Sequence, residues 1–568
     1  MTAWSNALLC LALAASSAAA DASAASKTAA AAEPGFLVAA PDRGFLGNEE
    51  TRDAFEAFAG GRNAQLVFVT DERTAKSVGA GVARLKEQGA RRLVVLPFFL
   101  SRSDPGYRRL RTITPQHSAG LAVTWARSYG ESYLAVEALA DRFRELPDRG
   151  GRRVVVVGTG AADEASRKAM SADWQRIADG AADGVGFESV RVVLEASRGA
   201  VPTALRAALD GAERPAVVPF HLGGKLDGMM SFSAFVRGAA AGAHVSDGDV
   251  TPHATVAQWM AREANRHAPV RPEDVGVVAL AHGSDFHWNE TMLQALVPLA
   301  QRFKLEPAFS MADPPVIERA VRRLESRGAR VILILRIFGL AASFRDSVER
   351  LIGLDVEEGG QPAATQAHAA HGHDGHAGHS GGSAIPAPRI RSTAVLATAG
   401  GLDDHPLFAE ALLERARSLS RDPARETVIV VAHGDGDDAR DARWNELLQS
   451  LAARMRARGG DRFRAIHTAT WREDWPEKRR PAVERVRALV QKASADGGRT
   501  LVVPARTLGQ GPERRLLDGL AFELGEGFAP HPLFARWAGE QVEAAVAGLV
   551  GESTQHAAAT GGTSAIPR

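Results

Sequence analysis

Four short apolar runs, each leading into a small or glycine-containing turn, recur 118, 123 and 151 residues apart, a period near 120 once an insertion of roughly thirty residues in the third is removed, and this repeat constrains the fold more than any other feature. The runs are Phe36 to Ala40, Val154 to Gly158, Val277 to Ala281 and Val428 to Ala432. Each is too short for a buried helix and too continuously apolar for a strand with one wet face. Each therefore reads as a parallel strand covered on both sides. The residue just beyond each run is Pro41, Thr159, His282 or His433. Every period continues with a second strand, a helical pattern and a third strand. The third strands are Leu93 to Pro97, Ala216 to Pro219, Val331 to Leu335 and Leu501 to Pro504, and three of them end in a proline that stops the ladder. Three of the closing helices open on a related phrase, Pro252-His253-Ala254, His405-Pro406-Leu407-Phe408 and His531-Pro532-Leu533-Phe534, in which proline sits where a helix has no N–H to lose. The histidines of these phrases read as structural.

Strands alternating with helices at this spacing imply an α/β fold of four doubly wound parallel-sheet lobes, paired one-two and three-four into two bilobal modules. A chain of 568 residues is too long for one core, which agrees with that division. The expected lobes are 34–148, 149–270, 271–422 and 423–552, followed by a small, polar tail over 553–568 that reads as disordered. Residues 357–388 interrupt the third lobe with His368, His371, His373, His376 and His379 among Ala, Gly, Asp and Ser, a composition that cannot build a core.

The apolar run Ala7 to Ala15 is too short to span a bilayer and leads into Ala18-Ala19-Ala20, so residues 1–20 read as a signal peptide and the protein as periplasmic or secreted. The only cysteine, Cys10, lies inside that run, so a processed chain has to hold any metal with His, Asp or Glu. No later apolar stretch is long enough for stable membrane insertion. With 68 basic and 67 acidic residues, no global field draws the chain to nucleic acid, and an anionic ligand must be met by local basic groups.

The strand-end signal sharpens in lobes three and four. Ala281-His282-Gly283-Ser284 is followed by His287-Trp288-Asn289-Glu290, and Ala432-His433-Gly434-Asp435 by Arg443-Trp444-Asn445-Glu446. Ligands of open parallel sheets bind beyond the carboxyl ends of the strands, where His282 and His433 project. A neutral imidazole there can coordinate a divalent metal, and the following glycine lets a flat ligand approach the backbone. Trp288 and Trp444 read as core anchors, and the Asn-Glu pairs also suit a helix start. The match of Gly378 to Gly382 to a hydrolase elbow falls in the His-rich insert, not between a strand and a helix, and is accidental.

These motifs resemble the CbiX and SirB group of sirohydrochlorin chelatases, in which a strand ending in Ala-His-Gly opens each lobe and a Pro-x-x-Leu turn ends a later strand. The matching turns are Pro97-Phe-Phe-Leu100 and Pro219-Phe-His-Leu222. Lobes three and four keep the histidine and alter or lack the turn, lobes one and two keep the turn and lack the histidine, and no lobe has the family's second histidine after the turn. The resemblance implies a lyase-type enzyme inserting Co²⁺, or Fe²⁺ or Ni²⁺, into a polycarboxylate tetrapyrrole held between two lobes. It assigns metal contact to His282, His433 and the nearby His287, and proton acceptance to Glu290 or Glu446. Such a ring needs basic groups around it, and Arg336, Arg345, Arg443, Arg472 and Arg506 follow strand ends or loops on the expected rim. The imidazoles of the insert, closely spaced on a flexible chain, can reach a common ion. The alternative from a different class is a non-catalytic periplasmic carrier of metal or tetrapyrrole.

Overall fold

The computed structural model describes residues 34–118, 120–222, 226–227, 230–246, 250–357 and 387–561. The expected signal peptide and the insert imidazoles His368, His371, His373, His376 and His379 lie outside the described residues.

Lobe one contains strands β1 (Gly35–Pro41), β2 (Ala64–Val69), β3 (Arg92–Pro97) and β4 (Ala122–Trp125), with helices α1 (Gly44–Ala59), α2 (Arg73–Glu87) and α3 (Tyr133–Glu145). Lobe two contains β5 (Arg153–Thr159), β6 (Ser189–Glu195), β7 (Ala216–Pro219) and β8 (His244–Val245), with α4 (Glu164–Ala182) and α5 (Ala254–His267). Lobe three contains β9 (Val275–Ala281), β10 (Lys304–Phe309), β11 (Val331–Ile337) and β12 (Val395–Gly400), with α6 (Phe286–Ala295) and α7 (Pro314–Ser326). Lobe three closes on α8 (Pro406–Leu419), and lobe four contains β13 (Glu426–Ala432), β14 (Ala465–Thr470), β15 (Arg499–Pro504) and β16 (Glu523–Leu524), with α9 (Asp438–Ala457), α10 (Pro476–Ser494) and α11 (Pro532–Gly561). The last helix carries regular backbone past residue 552, where the sequence suggests the fourth lobe ends.

Each lobe is one four-stranded sheet in which the first strand is interior, the second lies beside it on one edge, and the third and fourth lie on the other side. The ladders are parallel throughout, with Gly35 opposite Leu93 in lobe one and Val428 opposite Leu501 in lobe four. This order puts a topological switch point between the first and third strands of every lobe, where the loops leaving the strands part and leave a crevice.

The apolar strands divide their side chains between two layers. Along β9, Val275, Val277, Ala279 and Ala281 enter a core shared with lobe four, while Val278 and Leu280 enter an outer layer with Ile317, Val321 and Leu324 of α7. Both faces are therefore apolar, as the uninterrupted run requires. A single core likewise joins Phe36 and Leu96 of lobe one to Val154 and Trp174 of lobe two. The pairing one-two and three-four is thus a pairing of cores. Fully buried Trp259 and Trp537, one from each shared core, would each cost about 3–5 kcal/mol if cut to alanine.

The repeated His-Pro phrase proves to be a capping device. The Nδ1 atoms of His253, His405 and His531 accept the backbone N–H of Thr255, Leu407 and Leu533, each at 3.2 Å, at the starts of α5, α8 and α11. An imidazole here replaces the usual Ser or Asp in satisfying an orphan N–H.

The modules meet through ion pairs on both sides of the insert. The first residue assigned to the insert, Glu357, is instead part of the packed structure: it is buried and takes Arg127 at 2.8 Å, Arg266 at 3.2 Å and also Arg262. Beyond it, Arg389 reaches Asp355 at 2.9 Å and Glu137 at 3.3 Å, Arg391 reaches Asp141 at 2.5 Å, and Tyr133 donates its hydroxyl to the Ile390 carbonyl at 2.7 Å. The Tyr133 ring lies so close over Gly353 that a Cβ there would stand 2.2 Å from its Cγ, so only glycine fits.

Candidate functional site

The fourth lobe carries a hydrogen-bonded constellation at the carboxyl edge of its sheet. Strand β13 ends at Ala432, whose carbonyl still takes the Trp471 N–H at 2.9 Å, and His433 is the first residue beyond it. The chain then turns at Gly434, with φ +78°. A Cβ at this position would lie 2.7 Å from Asp441 Oδ1 and 2.8 Å from Thr470 Cβ, which is why the histidine is followed by glycine. The turn brings the Gly434 carbonyl to 2.8 Å from His433 Nδ1 and leaves Nε2 facing the segment after β14.

That segment is Trp471-Arg472-Glu473-Asp474-Trp475. His433 Nε2 lies 2.7 Å from Asp474 Oδ2 and 3.3 Å from Glu473 Oε1, and the imidazole meets the Trp475 ring edge to face at 5.7 Å. With Nδ1–H donating to a carbonyl, a neutral ring would point a lone pair at two carboxylates. A second proton removes that repulsion. Burial alone would push the His433 pKa down, but the hydrogen bond to Asp474 and the charge of Glu473 outweigh it and hold the pKa above its ordinary value. The two carboxylates thus favour the imidazolium form of His433.

Glu473 is positioned from behind. Its Oε2 takes Arg506 Nη2 at 2.6 Å, and the guanidinium packs on Gly511, where a Cβ would come within 2.4 Å of it. Arg506 in turn lies 3.8 Å from the fully buried Glu513, whose Oε1 accepts the Trp471 indole N–H at 3.1 Å. Arg506 follows β15 and His433 follows β13, so the two flank the switch-point crevice of this lobe.

Lobe three repeats the turn without the acids. His282 is exposed, its Nδ1 lies 2.6 Å from the Gly283 carbonyl, and Gly283 has φ +77°. The segment after β10 is Ser310-Met311-Ala312-Asp313, and Asp313 is engaged as the N-cap of α7, accepting the Val316 N–H at 3.2 Å. His287 is exposed beside Phe286. In lobes one and two the matching strand-end residues are Pro41 and Thr159; the Thr159 N–H is taken by the buried His221 at 3.3 Å.

The other expected site residues fall in several places. Glu290 lies a turn into α6 and Glu446 more than two turns into α9, both outside the hydrogen-bonded network of His433. Trp288 and Trp444 pack against the shared core. Trp444 also lies over Gly339 of lobe three, where a Cβ would stand 2.5 Å from its Cη2. Asn289 accepts the Ser284 N–H at 3.0 Å and so pins the loop after His282. Arg336 is buried rather than on a rim, donating to the carbonyls of Ala341, Ser343 and Gly400 and to Thr398 Oγ1. Burial pushes its pKa down, and Arg345 adds to that. Arg472 is also buried and clips the carbonyls of Asp435 and Gly436 at 2.6 and 2.7 Å, which ties the loop after β13 to the loop after β14. Arg345 pairs with Glu349 at 2.7 Å, and Arg443 stands exposed on α9. Four of the five arginines expected to meet a ligand are thus engaged within the chain, because a loop-rich strand edge has its own carbonyls and carboxylates to satisfy.

Glu473, Asp474 and Glu513 were not among the sequence candidates. The available signal was an acid pair between two tryptophans directly after a second strand. Among the described residues, no group of three or more His, Asp or Glu side chains is arranged to hold a metal ion, and no helix is long and apolar enough to cross a membrane.

No protein-family model matches the chain, and no curated protein matches it. Among solved structures it is similar to SirB from Bacillus subtilis with Fe3+, at 16% identity and a TM-score of 0.32, over 41% of this chain and 95% of that one. It is also similar to the sirohydrochlorin chelatase SirB from Bacillus subtilis subspecies spizizenii in complex with cobalt, at 13% identity and a TM-score of 0.32, over 41% of this chain and 94% of that one. The likeness is one of fold.

Proposed function

We propose that the chain inserts a divalent metal into a polycarboxylate tetrapyrrole, with Co²⁺ and sirohydrochlorin as the favoured pair, at the edge of lobe four. The observation that carries this reading is the strand-end imidazole of His433 facing Glu473 and Asp474 at 3.3 and 2.7 Å. Insertion needs a donor that releases the cation again and groups that accept the two pyrrole protons. The His433 imidazole and the two carboxylates are not set as a preformed metal site, but their charge can draw in a dication in exchange for the proton that they favour on the imidazole. Neither occupant is held so firmly that it cannot be given up. Arg506 holds Glu473 in place and limits how much negative charge that carboxylate can lend, so the cation is not trapped.

In this reading His433 contacts the metal and carries a proton, Glu473 and Asp474 accept protons, and His282 with its exposed imidazole faces the ring from lobe three. Export to the periplasm belongs to the same proposal and is tested by locating the mature protein. The test of activity is Co²⁺ insertion into sirohydrochlorin by the purified full chain, followed by the change in the macrocycle's visible spectrum. His433→Ala is expected to lower the rate about a hundredfold. A rate no higher than the uncatalysed control with Co²⁺, Fe²⁺ and Ni²⁺ refutes the proposal.

A further inference from the structure

Behind the lobe-four site lies a buried carboxyl with little cover for its charge. The Glu513 side chain is 0% exposed, and its Oε1 accepts the Trp471 indole N–H at 3.1 Å. Among the described residues its ion-pair partner is Arg506, whose Nε stands 3.8 Å from Oε1, beyond hydrogen-bond reach. Neither Arg506 Nε nor Glu513 Oε2 has a hydrogen-bond partner among the described residues, although both atoms are shielded from solvent. Native folds keep few such atoms, and each calls for a reason.

The same guanidinium serves the site in front. Arg506 Nη2 lies 2.6 Å from Glu473 Oε2, while the other oxygen of Glu473 lies 3.3 Å from His433 Nε2. Arg506 thus stands between two carboxyls, bonded to one and within about 1 Å of bonding to the other. Gly511 leaves it room, because a Cβ there would stand 2.4 Å from its Cζ, Nε and Nη2. In lobe three, counted from the paired strand ends, Ala312 takes the place of Glu473 and Phe338 that of Arg506, so the acid and the guanidinium are missing together.

A dication drawn to His433, Glu473 and Asp474 meets Arg506 as a rival for Glu473. Two cations on one carboxylate repel each other, and the guanidinium has a second carboxylate at hand. Trp471 fixes that second carboxylate through its indole and is itself anchored beside His433, its backbone N–H donating to the Ala432 carbonyl at 2.9 Å.

We propose that Glu513 is a positioning residue that takes over Arg506 when a divalent cation engages Glu473 and gives it back when the cation leaves. This rests on the reading of lobe four as the site of insertion and names the group that lets Glu473 change its charge there. Glu513 then acts on the cation only through Arg506.

The experiment is NMR titration of the full chain with Zn²⁺, a diamagnetic dication. The His433 ring signals read occupancy and the Trp471 indole N–H reads the bond to Glu513, both local to lobe four, and Co²⁺ insertion into sirohydrochlorin is measured on the same preparations. The indole signal is expected to shift in step with occupancy, because Arg506 arriving at Glu513 draws charge from the oxygen to which the indole donates. Glu513→Gln is expected to abolish the shift and to weaken Zn²⁺ binding about tenfold. In an Arg506→Gln background the same substitution should change affinity less than about twofold. Equal weakening in both backgrounds overturns the proposal. So does an indole signal that stays in place while His433 is occupied, a result read on the wild type and independent of whether Glu513→Gln folds; insertion at the expected rate then leaves the proposed function standing. A shift in step with occupancy but no insertion refutes the proposed function and keeps the handover. His433 signals that Zn²⁺ does not move refute both.

Discussion

Replacing Glu357 with glutamine tests what joins the two modules. The Glu357 and Arg262 side chains are both 0% exposed and are paired with each other, and Arg127 and Arg266 complete the cage at 2.8 and 3.2 Å. Burial alone would raise the Glu357 carboxyl, but the charges of Arg262, Arg266 and Arg127 hold it below the usual carboxylate range. Glutamine preserves the shape and removes the charge. Arg266 keeps a carboxylate in Glu263 at 3.5 Å, so the deficit falls chiefly on Arg262, left as a buried cation without its counter-ion. Breaking a buried pair from one side costs about 3–5 kcal/mol, and partial cover from Glu263 favours the lower end. The control is Glu318→Gln, whose partner Arg322 lies 3.1 Å away on the open face of α7 and whose loss should cost under about 1 kcal/mol.

Urea unfolding followed by tryptophan emission reads the effect, since buried Trp259 donates its indole N–H to the Arg127 carbonyl at 3.3 Å beside the cage. The transition that exposes Trp259 should lose about 3 kcal/mol in Glu357→Gln. A carboxyl lowered in the folded state stabilises fully above its unfolded pKa, near 4.5, and that contribution is lost as pH falls through the folded value. The gap between wild type and variant should therefore close in acid. Equal losses for Glu357→Gln and Glu318→Gln, or a gap that does not vary with pH, would refute the view that this cage ties the modules.

Three other measurements probe the remaining assignments. Glu473→Gln removes one of the charges that raise the His433 pKa, so its imidazole titration by NMR should move to lower pH, and an unchanged midpoint would break the link between them. The sign for stability follows, because a raised histidine stabilises fully below its unfolded pKa near 6.5 and less as pH rises through its folded value, so lobe four should weaken on the alkaline side and Glu473→Gln less so. At His405 burial lowers the pKa, so the capping contribution is complete above about 6.5 and is lost as pH falls through the folded value, since a protonated Nδ1 cannot accept the Leu407 N–H. His405→Ala should cost about 1 kcal/mol at pH 7, and His405→Asn should keep the cap and flatten the dependence between pH 7 and 5 in thermal melts. Arg336→Lys cannot serve three carbonyls and a hydroxyl at once and should destabilise lobe three by about 2–3 kcal/mol, with faster amide exchange around Ser343; weaker ring binding with no loss of stability would instead return Arg336 to the rim.

The architecture was legible because a strand covered on both faces has to be apolar at every position, and β9 and β13 are buried along their whole length. Pairing into modules was legible from the repeat, although its physical basis, a core continuous from Phe408 to Phe528 and Trp537, is a tertiary fact. The site was legible only in part. The first strand of each lobe announces itself by repetition, so His282 and His433 stood out. Counted from the strand ends, lobe three has Ala312 where lobe four has Glu473, and Asp313, at the place of Asp474, caps α7 instead, so a search for repeated motifs passes over the acid pair. Arginines are the opposite case. Their charge suggests a ligand, but the sequence does not say which backbone carbonyls a loop leaves unsatisfied, and Arg336 and Arg472 are buried among such carbonyls.

The lobes of the second module are unequal, and the inequality has a physical direction. Lobe four gathers negative charge around His433 and so favours a cation and a proton. Lobe three offers His282 with exposed Phe286 and Met311, a surface that favours an apolar plane. The lobes share one core, and Trp444 of α9, shortly after the His433 turn, packs on Gly339 of the loop after β11, so both edges are held in one rigid body. The metal insertion proposed above would ask for this division, because the ring must be held by its face while the cation is held only by groups that can let it go. If both lobes carried the acid pair, the dication would face more carboxylate than the ring nitrogens could outbid. If neither did, nothing would draw the ion in or take up the protons it displaces.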